Sequence, residues 1–420
     1  MTKLFRSALV RYVRAQPRQL DWNGAERRVY MMLVNAYAVD GTIRTTFNLA
    51  VHLASRGYEV VLVSAARDRA RPFFGELPRG VSIVSLDDRR EELLPEGLHP
   101  LRRWMRERES VLMHPDDIMA GALNLWTDWR LVRTLRRKTG FFVTTRPGLN
   151  LLSALLSPPG LVLVGQEHMH LEVHAEGLRE AMRREYRKLS VLSVLTASDR
   201  RSYKEHLDRK VPVVRIPNAV RDPGDIRADL SAKTVLAAGR LTRQKGYDRL
   251  IKAWEKVAPK HPDWTLRICG VGPKRRHLLW MIRARGLQDS IVLERAAQDL
   301  DAEMANASIF VLSSRWEGLP LVMLEAMSVG MAVVSFDCPT GPRELIDDHT
   351  SGLLIRPRTI DNLAAGLDEM MSDQELRARC AAGAVEVARG YSMDLLGPKW
   401  ETTLERAWQR KRKEVRAPTG

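Results

Sequence analysis

The chain has 420 residues, of which 45% are hydrophobic, 28% charged and 6% aromatic, and its formal net charge is +16. This composition excludes disordered, collagenous and disulfide-scaffold proteins, and the length predicts two or three folded domains. The positive charge predicts an anionic partner, which is a nucleic acid, an anionic membrane surface or a phosphate-bearing substrate.

The N-terminal segment Met1–Leu20 is too basic for a secretory signal, because Arg6, Arg11, Arg14 and Arg18 interrupt any apolar core. Its part Lys3–Arg14 predicts an amphipathic helix with an apolar face formed by Phe5, Leu9, Tyr12 and Val13. Such a helix either lies on an anionic membrane or packs on the domain with its cations in solvent. The same two alternatives hold for the basic C-terminal segment Arg406–Lys413.

Apolar, β-branched runs alternate with helical patterns in the first half of the chain, which predicts a parallel α/β domain. The predicted strands are Val29–Tyr37, Tyr58–Ser64, Val81–Leu86, Phe141–Thr145, Leu161–Val164, Val191–Thr196 and Val213–Ile216. Helices are predicted at Thr42–Arg56 and Leu123–Lys138. The uncharged run Pro147–Gln166 is long enough to cross a bilayer, but prolines and glycines break it, so we predict a helix followed by a buried strand.

A second series of the same kind follows the polar segment Asn218–Lys233, which is the predicted linker. Its predicted strands are Thr234–Ala238, Thr265–Cys269, Ile291–Leu293, Ser308–Leu312, Ala332–Phe336 and Gly352–Ile355. Its predicted helices are Tyr247–Val257, Lys274–Arg285, Leu319–Val329 and Ile360–Met371. We therefore predict two doubly wound, Rossmann-like domains that face each other across a cleft, with ligands beyond the carboxyl ends of the strands.

The loop Gly239–Gly246 follows the first strand of the second series and carries Arg240 and Lys245. Two cations at one strand tip predict a clamp for a diphosphate, whereas the simpler interpretation is a solvated loop.

The segment Ser313–Met327 runs from a strand through a Glu-Gly turn into a helix. The helix N-terminus offers amides to an anion. Glu317 and Glu325 are instead suited to accept hydrogen bonds from hydroxyl groups, unless both are solvated acids at the start of a helix. A diphosphate flanked by hydroxyl groups is a nucleotide-sugar.

These segments resemble the motifs of glycosyltransferase family 4, whose members have the GT-B fold. The resemblance rests on Glu317–Glu325, on Gly239-Arg240 with Lys245-Gly246, on Gly270–Pro273, and on Thr340–Ile346 followed by Ser351–Leu354. It implies that Arg240 and Lys245 hold the diphosphate, that Glu317 holds sugar hydroxyls and that Glu325 holds the ribose. It also implies that amides of the segment Gly318, Leu319, Pro320, Leu321 and Val322 contact the sugar and the phosphates.

Two loops depart from the family pattern. Glu294-Arg295-Ala296-Ala297 replaces a glycine-containing loop that contacts the nucleobase, and Asp40-Gly41-Thr42 replaces a pair of glycines before the first helix. We still expect Gly41, Gly239, Gly272 and Arg295 to contribute to donor binding.

Histidines follow the strand Leu161–Val164 in the segment Gly165–His174. The family resemblance implies that His168 reaches the sugar, whereas a packing or capping residue is the plainer interpretation. His168, His170 and His174 form an alternative zinc cluster. Asp299 and Asp301 have the spacing of a metal-binding pair but precede a helical pattern, so we interpret Asp299 as a helix N-cap and expect neither metal nor cofactor.

The resemblance implies residues 1–222 as an acceptor-binding domain, 223–395 as a nucleotide-sugar-binding domain and 396–420 as a helix that crosses back to the first domain. We expect a retaining hexosyltransferase that uses a UDP-sugar, with His168, Glu317, Arg240 and Lys245 as catalytic residues. The expected acceptor is a cell-envelope glycan, a polyprenyl-linked sugar or a teichoic-acid-like polymer, and the expected location is the cytoplasm or the inner face of the membrane.

Positive charge on the acceptor half supports this choice of acceptor; its sources are Arg102, Arg103, Arg106, Arg130, Arg133, Arg136, Arg137 and Lys138. The alternatives within the fold are a nucleotide-sugar epimerase and a glucan synthase. A basic nucleic-acid-binding protein is the alternative from another class, although the sequence contains no recognisable nucleic-acid motif.

Overall fold

Strands and helices alternate along the chain, as the sequence predicts. The computed structural model describes residues 2–15, 20, 22–38, 40–73, 75, 77–90, 99–296 and 299–416. Among these residues the strands are β1 Arg28–Asn35, β2 Glu59–Arg67, β3 Val81–Asp88, β4 Gly140–Thr144, β5 Leu161–Glu167, β6 Val191–Val194, β7 Val213–Arg215, β8 Thr234–Ala238, β9 Thr265–Cys269, β10 Ile291–Glu294, β11 Ile309–Leu312, β12 Ala332–Phe336 and β13 Leu353–Ile355.

The α-helices of the described chain connect these strands. They are α1 Thr2–Arg14, α2 Gly41–Ser55, α3 Pro100–Arg106, α4 Leu125–Leu135, α5 Pro147–Leu156, α6 Glu176–Glu185, α7 Ala197–His206, α8 Tyr247–Val257, α9 Arg275–Ala284, α10 Leu300–Ala305, α11 Leu321–Ser328, α12 Pro342–Leu345, α13 Ile360–Ser372, α14 Gln374–Arg389 and α15 Met393–Arg416. Arg18 and Ala297, which the sequence analysis used, lie outside the described residues.

The chain divides into two compact units, one of Met1–Pro217 with Leu396–Gly420 and one of Asn218–Leu395. In the part of the first unit that the structure describes, seven parallel strands form a sheet in the order β3-β2-β1-β4-β5-β6-β7. In the described part of the second unit, six parallel strands follow the order β10-β9-β8-β11-β12-β13. Most residues of these strands are buried, which is typical of parallel sheets that helices cover on both faces.

The division between the units differs from the predicted one at 222/223. The backbone amide of Val220 donates to the carbonyl of Tyr391 at 2.9 Å, so the start of the predicted linker is already bonded into the second unit. At the other end, α15 passes from one unit to the other. Its residues Trp400, Leu404 and Trp408 are buried in the core of the first unit, and the Trp408 ring lies 5.7 Å from that of Phe141.

Local chemistry sets the helix boundaries. The predicted helix Leu319–Val329 begins only at Leu321. Leu319 precedes Pro320, and helical backbone angles are disfavoured at a residue that precedes a proline. The predicted helix and buried strand within Pro147–Gln166 are confirmed as α5 and β5, with Ser157 in left-handed conformation between them. A search of the described residues finds no helix that combines the length and hydrophobicity needed to span a membrane.

Candidate functional site

Four loops at the carboxyl edge of the second sheet carry most of the predicted donor-binding residues. They follow β8, β9, β11 and β12, and parallel sheets bind ligands at this edge. Backbone hydrogen bonds join these loops, since Leu241 N donates to Val271 O at 2.8 Å and Glu317 N donates to Pro339 O at 2.6 Å. The motifs that are separate in the sequence therefore form one continuous edge.

Lys245 and Glu317 form an ion pair at the centre of this edge. The Lys245 Nζ atom lies 2.7 Å from Glu317 Oε1, and the two side chains are only 13% and 7% exposed. Ser314 Oγ donates to the same carboxylate oxygen at 2.6 Å, and Gln244 Nε2 lies 3.5 Å from Oε2. The sequence analysis assigned the lysine and the glutamate to different parts of a donor and did not predict this pair.

Gly246 makes the pairing of the two loops geometrically feasible. Its φ angle is +67°, and a Cβ atom there would lie 2.2 Å from the carbonyl oxygen of Ser313. Because only glycine tolerates both conditions, the loop after β8 approaches the loop after β11 closely. Ser313 Oγ then donates to Lys245 O at 2.9 Å, which fixes the position of the lysine.

The remaining residues of the second unit that are predicted to bind the donor lie at the same edge. Gly239 directly follows β8, and Arg240 after it is exposed. A Cβ atom at Gly272 would lie 2.5 Å from the carbonyl oxygen of Leu241, so the two loops approach closely there. Arg295 is exposed after β10. The residues Gly318, Leu319, Pro320 and Leu321 are buried, Val322 is half-buried, and Glu325 is a buried carboxylate in the second turn of α11.

The sequence analysis missed Ser314, Gln244 and Arg275. Arg275 donates to the carbonyl oxygens of Glu294 at 2.8 Å and Leu293 at 3.0 Å, so it caps the end of β10 beside the loop that departs from the family pattern. A signal existed for Ser314, which stands three residues before Glu317. The role of Arg275 has no local signal, because its partners are about twenty residues further along the chain.

In the first unit, His168 follows β5 and Gly41 begins α2. Asp40 caps that helix by accepting from the Thr42 amide at 2.9 Å, and its charge acts on His168. Burial nevertheless lowers the pKa of His168 to about 4, with Asp40 opposing and Arg146 reinforcing the shift. The imidazole is therefore neutral near pH 7, and its Nε2 lies 3.4 Å from Gln166 Oε1.

Glu167, next to His168, is the centre of a buried polar cluster. Burial raises the pKa of Glu167 to about 8, while hydrogen bonds from Tyr186 and from Asn150 at 2.8 Å lower it. Its Oε2 atom has no hydrogen-bond partner in the described structure, and His174 Nε2 is 3.9 Å away. A protonated Glu167 removes the need to bury an unpaired charge.

The candidate metal ligands have protein partners. His170 Nδ1 lies 3.1 Å from Glu172, and His174 Nε2 lies 3.3 Å from the Tyr203 hydroxyl. Asp299 accepts from the amides of Asp301 and Ala302, which confirms its interpretation as the N-cap of α10, and Asp301 pairs with Arg221.

One further group of side chains in the described chain lies close enough together to hold a metal ion. The potential ligand atoms of Cys269, Glu294 and Glu303 lie within 4.8 Å of one another. Arg267 pairs with both carboxylates, at 3.0 and 2.7 Å. Burial raises the pKa of Cys269 to about 12, so the thiol keeps its proton. A guanidinium therefore already supplies the positive charge in this group.

Comparison with known proteins gives these loops a context. Residues 221–387 match the family model described as glycosyl transferases group 1. All four loops of the carboxyl edge lie within this range. The match and the glycosyltransferase relatives agree with the prediction of a glycosyltransferase for this region of the chain.

Two curated relatives cover most of the chain. An exopolysaccharide phosphotransferase from Streptomyces coelicolor is 30% identical over 384 residues, which is 89% of this chain and 40% of the relative. An uncharacterized glycosyltransferase from Haemophilus influenzae is 26% identical over 387 residues, 90% of this chain and 100% of the relative. The chain thus spans less than half of the Streptomyces protein.

A solved structure confirms the fold. A point mutant of S. aureus TarM, solved in complex with fondaparinux, α-GlcNAc-glycerol and UDP, superposes with a TM-score of 0.72 at 16% identity and covers 90% of this chain and 99% of its own. At that identity the likeness concerns the fold alone, and it agrees with the GT-B prediction of two parallel-sheet α/β domains.

Proposed function

We propose that the chain transfers a sugar from a nucleoside diphosphate donor, UDP being the expected nucleotide, to a hydroxyl group of a cell-envelope polymer or a lipid-linked glycan. The observation that carries this proposal is the Lys245–Glu317 pair beside the exposed Arg240, at the carboxyl edge of the domain that matches glycosyl transferases group 1. The exopolysaccharide relative and the TarM complex support the classes of acceptor and nucleotide.

The ion pair has a specific role in donor binding. An incoming diphosphate carries more negative charge than one carboxylate and competes for the Lys245 ammonium. As Lys245 turns to the phosphates, Glu317 becomes available to accept hydrogen bonds from sugar hydroxyls, while Ser314 holds it in place. Glu325, on the helix α11 that follows this loop, holds the ribose.

We propose retention at the anomeric carbon by attack from the face that the diphosphate leaves. The bond from the anomeric carbon to the phosphate oxygen breaks, the bond to the acceptor oxygen forms, and the leaving phosphate oxygen takes the acceptor proton. Arg240 and Lys245 stabilise the charge that develops on the diphosphate. His168, neutral at pH 7, contributes a hydrogen bond to the sugar, and the proposed residues need no divalent metal, so activity should persist in excess EDTA.

The test of the proposal is a panel of nucleotide-sugars, assayed for binding and for slow hydrolysis. Glu317→Gln should depress turnover while UDP still binds, because UDP lacks the sugar. Glu325→Ala should weaken UDP and the intact donor alike, by about 1.5 to 3 kcal/mol. Glu386→Gln, on the exposed face of α14, is the matched control and should leave both affinities unchanged.

Two outcomes would contradict this function, and a third would contradict its independence of metal. Absence of UDP binding together with a salt-sensitive shift of DNA would favour a nucleic-acid-binding protein. Conversion of the donor to an isomeric nucleotide-sugar without any acceptor, rather than its slow hydrolysis, would favour an epimerase. Complete loss of activity in EDTA, restored by magnesium or manganese, would show that the charge on the diphosphate is not handled by Arg240 and Lys245.

We also propose that the first unit binds an anionic membrane surface through α1. Leu9 and Val13 pack into the core of the unit, and the Tyr12 ring lies 5.5 Å from Trp129. The first turns project differently, since Leu4 is 76% and Phe5 38% exposed. The predicted alternatives for this helix therefore apply to different halves: its second half packs on the domain, and its first half is the membrane-binding part.

A further inference from the structure

A buried carboxylate lies between two arginines at the end of the second sheet. Asp337, which follows β12, is only 7% exposed. Arg343 donates to both of its oxygens, from Nε and Nη2, at 2.9 Å each, and Arg356 Nε lies 2.5 Å from Oδ2. The arginine side chains are themselves 55% and 60% exposed.

This arrangement has more positive charge than the carboxylate requires. One guanidinium satisfies a carboxylate by a bidentate pair, and Arg343 alone does so here. The second guanidinium leaves the three groups with a net charge of +1. Each guanidinium has five N–H donors, so both exposed arginines retain donors for another anion.

A third arginine stands in the same loop as Arg356. Arg358, two residues after Arg356, is exposed and donates from Nη1 to the carbonyl oxygen of Arg315 at 3.1 Å. Arg315 is itself bonded to the loop that carries Lys245, because its amide donates to Gln244 O at 2.7 Å. The arginines therefore border the edge at which Lys245 and Glu317 lie.

The strand order places the arginines on one particular side of Glu317. Thr340 N donates to Glu317 O at 3.0 Å, so the loop after Asp337 is bonded directly to the backbone of Glu317. The strand order β10-β9-β8-β11-β12-β13 puts Arg240 and Lys245 after β8, Glu317 after β11, and the arginines after β12 and β13. They lie beyond Glu317, on the side opposite to the strands whose loops would hold the nucleobase.

We propose that Arg343, Arg356 and Arg358 form a phosphate-binding subsite for the acceptor, an inference that rests on the proposed function and that adds a contact in the second unit to the acceptor binding expected of residues 1–222. With the donor diphosphate at Arg240 and Lys245 and the transferred sugar at Glu317, the next group along the edge belongs to the acceptor. Planar guanidinium groups bind phosphate oxygens in pairs. The phosphate is either a phosphodiester of a polymer or the diphosphate of a lipid-linked sugar.

Arginine labelling with phenylglyoxal, read by peptide mass spectrometry, tests the subsite at the level of single residues. The full chain is labelled with saturating UDP, alone and with glycerophosphoglycerol, a phosphodiester, or geranyl diphosphate. We expect UDP alone to leave Arg343 and Arg356 unchanged and a phosphate probe to slow their labelling at least about threefold. Arg283, exposed on α9, is the internal control.

The labelling outcomes separate the sources of phosphate. Protection by glycerophosphoglycerol assigns the subsite to a polymer phosphodiester, and protection by geranyl diphosphate alone assigns it to a lipid-linked diphosphate. Protection by neither probe overturns the inference, and so does protection by UDP alone, which would make the arginines part of the donor site. If UDP does not bind at all, the proposed function fails as well.

Substituting one arginine at a time tests phosphate binding without disturbing the fold. Arg343→Gln and Arg356→Gln each leave the other guanidinium on Asp337, so the buried carboxylate stays paired and circular dichroism should not change. We expect each variant to weaken binding of the protecting probe about tenfold and to keep UDP affinity within about twofold, and Arg283→Gln to change neither. An equal loss in Arg283→Gln would show general attraction to a basic protein and would overturn the subsite.

Discussion

Because Lys245 and Glu317 form an ion pair, we expect the effects of substituting them on the free energy of unfolding to be coupled. Each substitution alone, Lys245→Met or Glu317→Gln, leaves a largely buried group without its partner and should lower the free energy of unfolding by roughly 1 to 3 kcal/mol. The double variant should lose less than the sum, by about 0.5 to 3 kcal/mol. Urea denaturation of the four proteins measures this coupling.

The exposed pair Lys256–Asp361 is the matched control for this cycle, because solvent screens it and its coupling should be much smaller. Lys245→Met should also weaken UDP binding tenfold to a hundredfold, equivalent to about 1.5 to 3 kcal/mol. Strictly additive stability losses, or unchanged UDP affinity in the Lys245 variant, would contradict the role given to this lysine.

The raised pKa of Glu167 predicts that the folded state becomes less stable as the pH rises toward 8. Its pKa is about 8 in the folded chain and near 4.5 when unfolded, so between these values the folded state holds the extra proton and stability falls as pH rises. Burial lowers the pKa values of His168 and His174 from 6.5 to about 4, so these two groups make the folded state more stable as pH rises from 4 to 6.5. Above pH 6.5 they no longer change the stability.

From pH 6.5 to 8, Glu167 is therefore the group of these three that changes stability. We expect the free energy of unfolding to fall by up to about 2 kcal/mol over this range, and the fall to disappear in Glu167→Gln. Glu180→Gln, an exposed acid on α6, should retain it. Urea denaturation at both pH values measures the effect, and an identical fall in the Glu167 variant would refute this assignment.

At the scale of elements, the loops after β8 and β11 depend on the absence of a side chain at Gly246. Gly286 has a nearly identical φ angle of +66°, but a Cβ atom at that position would have no neighbouring atom within 4 Å. Gly286→Ala should therefore lower the free energy of unfolding by about 1 to 2 kcal/mol, which is the cost of placing a side chain on a left-handed backbone. Gly246→Ala adds a clash with Ser313 O and should cost roughly 1 to 3 kcal/mol more.

Thermal or urea unfolding of both alanine variants isolates the cost of this close approach. Gly246→Ala should also weaken UDP binding, because the clash displaces the loop that holds Lys245, whereas Gly286→Ala should not. Equal destabilisation by the two substitutions would mean that the loops do not require the close contact.

At the scale of the whole molecule, the net charge of +16 and the exposed start of α1 together predict membrane binding that depends on both charge and apolar contact. Binding to vesicles with anionic phosphatidylglycerol should exceed binding to neutral phosphatidylcholine and weaken with salt. Leu4→Gln with Phe5→Gln should lower the binding about tenfold without altering the fold, because both side chains are exposed.

Leu395→Gln is the matched control for vesicle binding, since Leu395 is 55% exposed in the second unit. Co-sedimentation at two salt concentrations measures all variants. Equal binding to neutral vesicles, or binding that the α1 substitutions leave unchanged, would contradict a membrane role for this helix.

Local sequence determined the order of elements in this protein. Strands β8, β9 and β12 and helix α8 have the bounds that the apolar patterns predict, and the caps at Asp40 and Asp299 follow from side chains that bond amides two or three residues away. The positions of the loops proposed to bind the donor were also predictable, because a strand end, a turn glycine and a helix start are adjacent in the chain.

Tertiary structure decided what sequence spacing cannot express. Lys245 and Glu317 are 72 positions apart, and only the neighbouring placement of β8 and β11 pairs them. The two arginines on Asp337, the cap formed by Arg275 and the raised pKa of Glu167 likewise depend on contacts between distant segments and on burial. Coulomb and desolvation energies follow distance in space and exclusion of water, and both are set by packing of the whole unit.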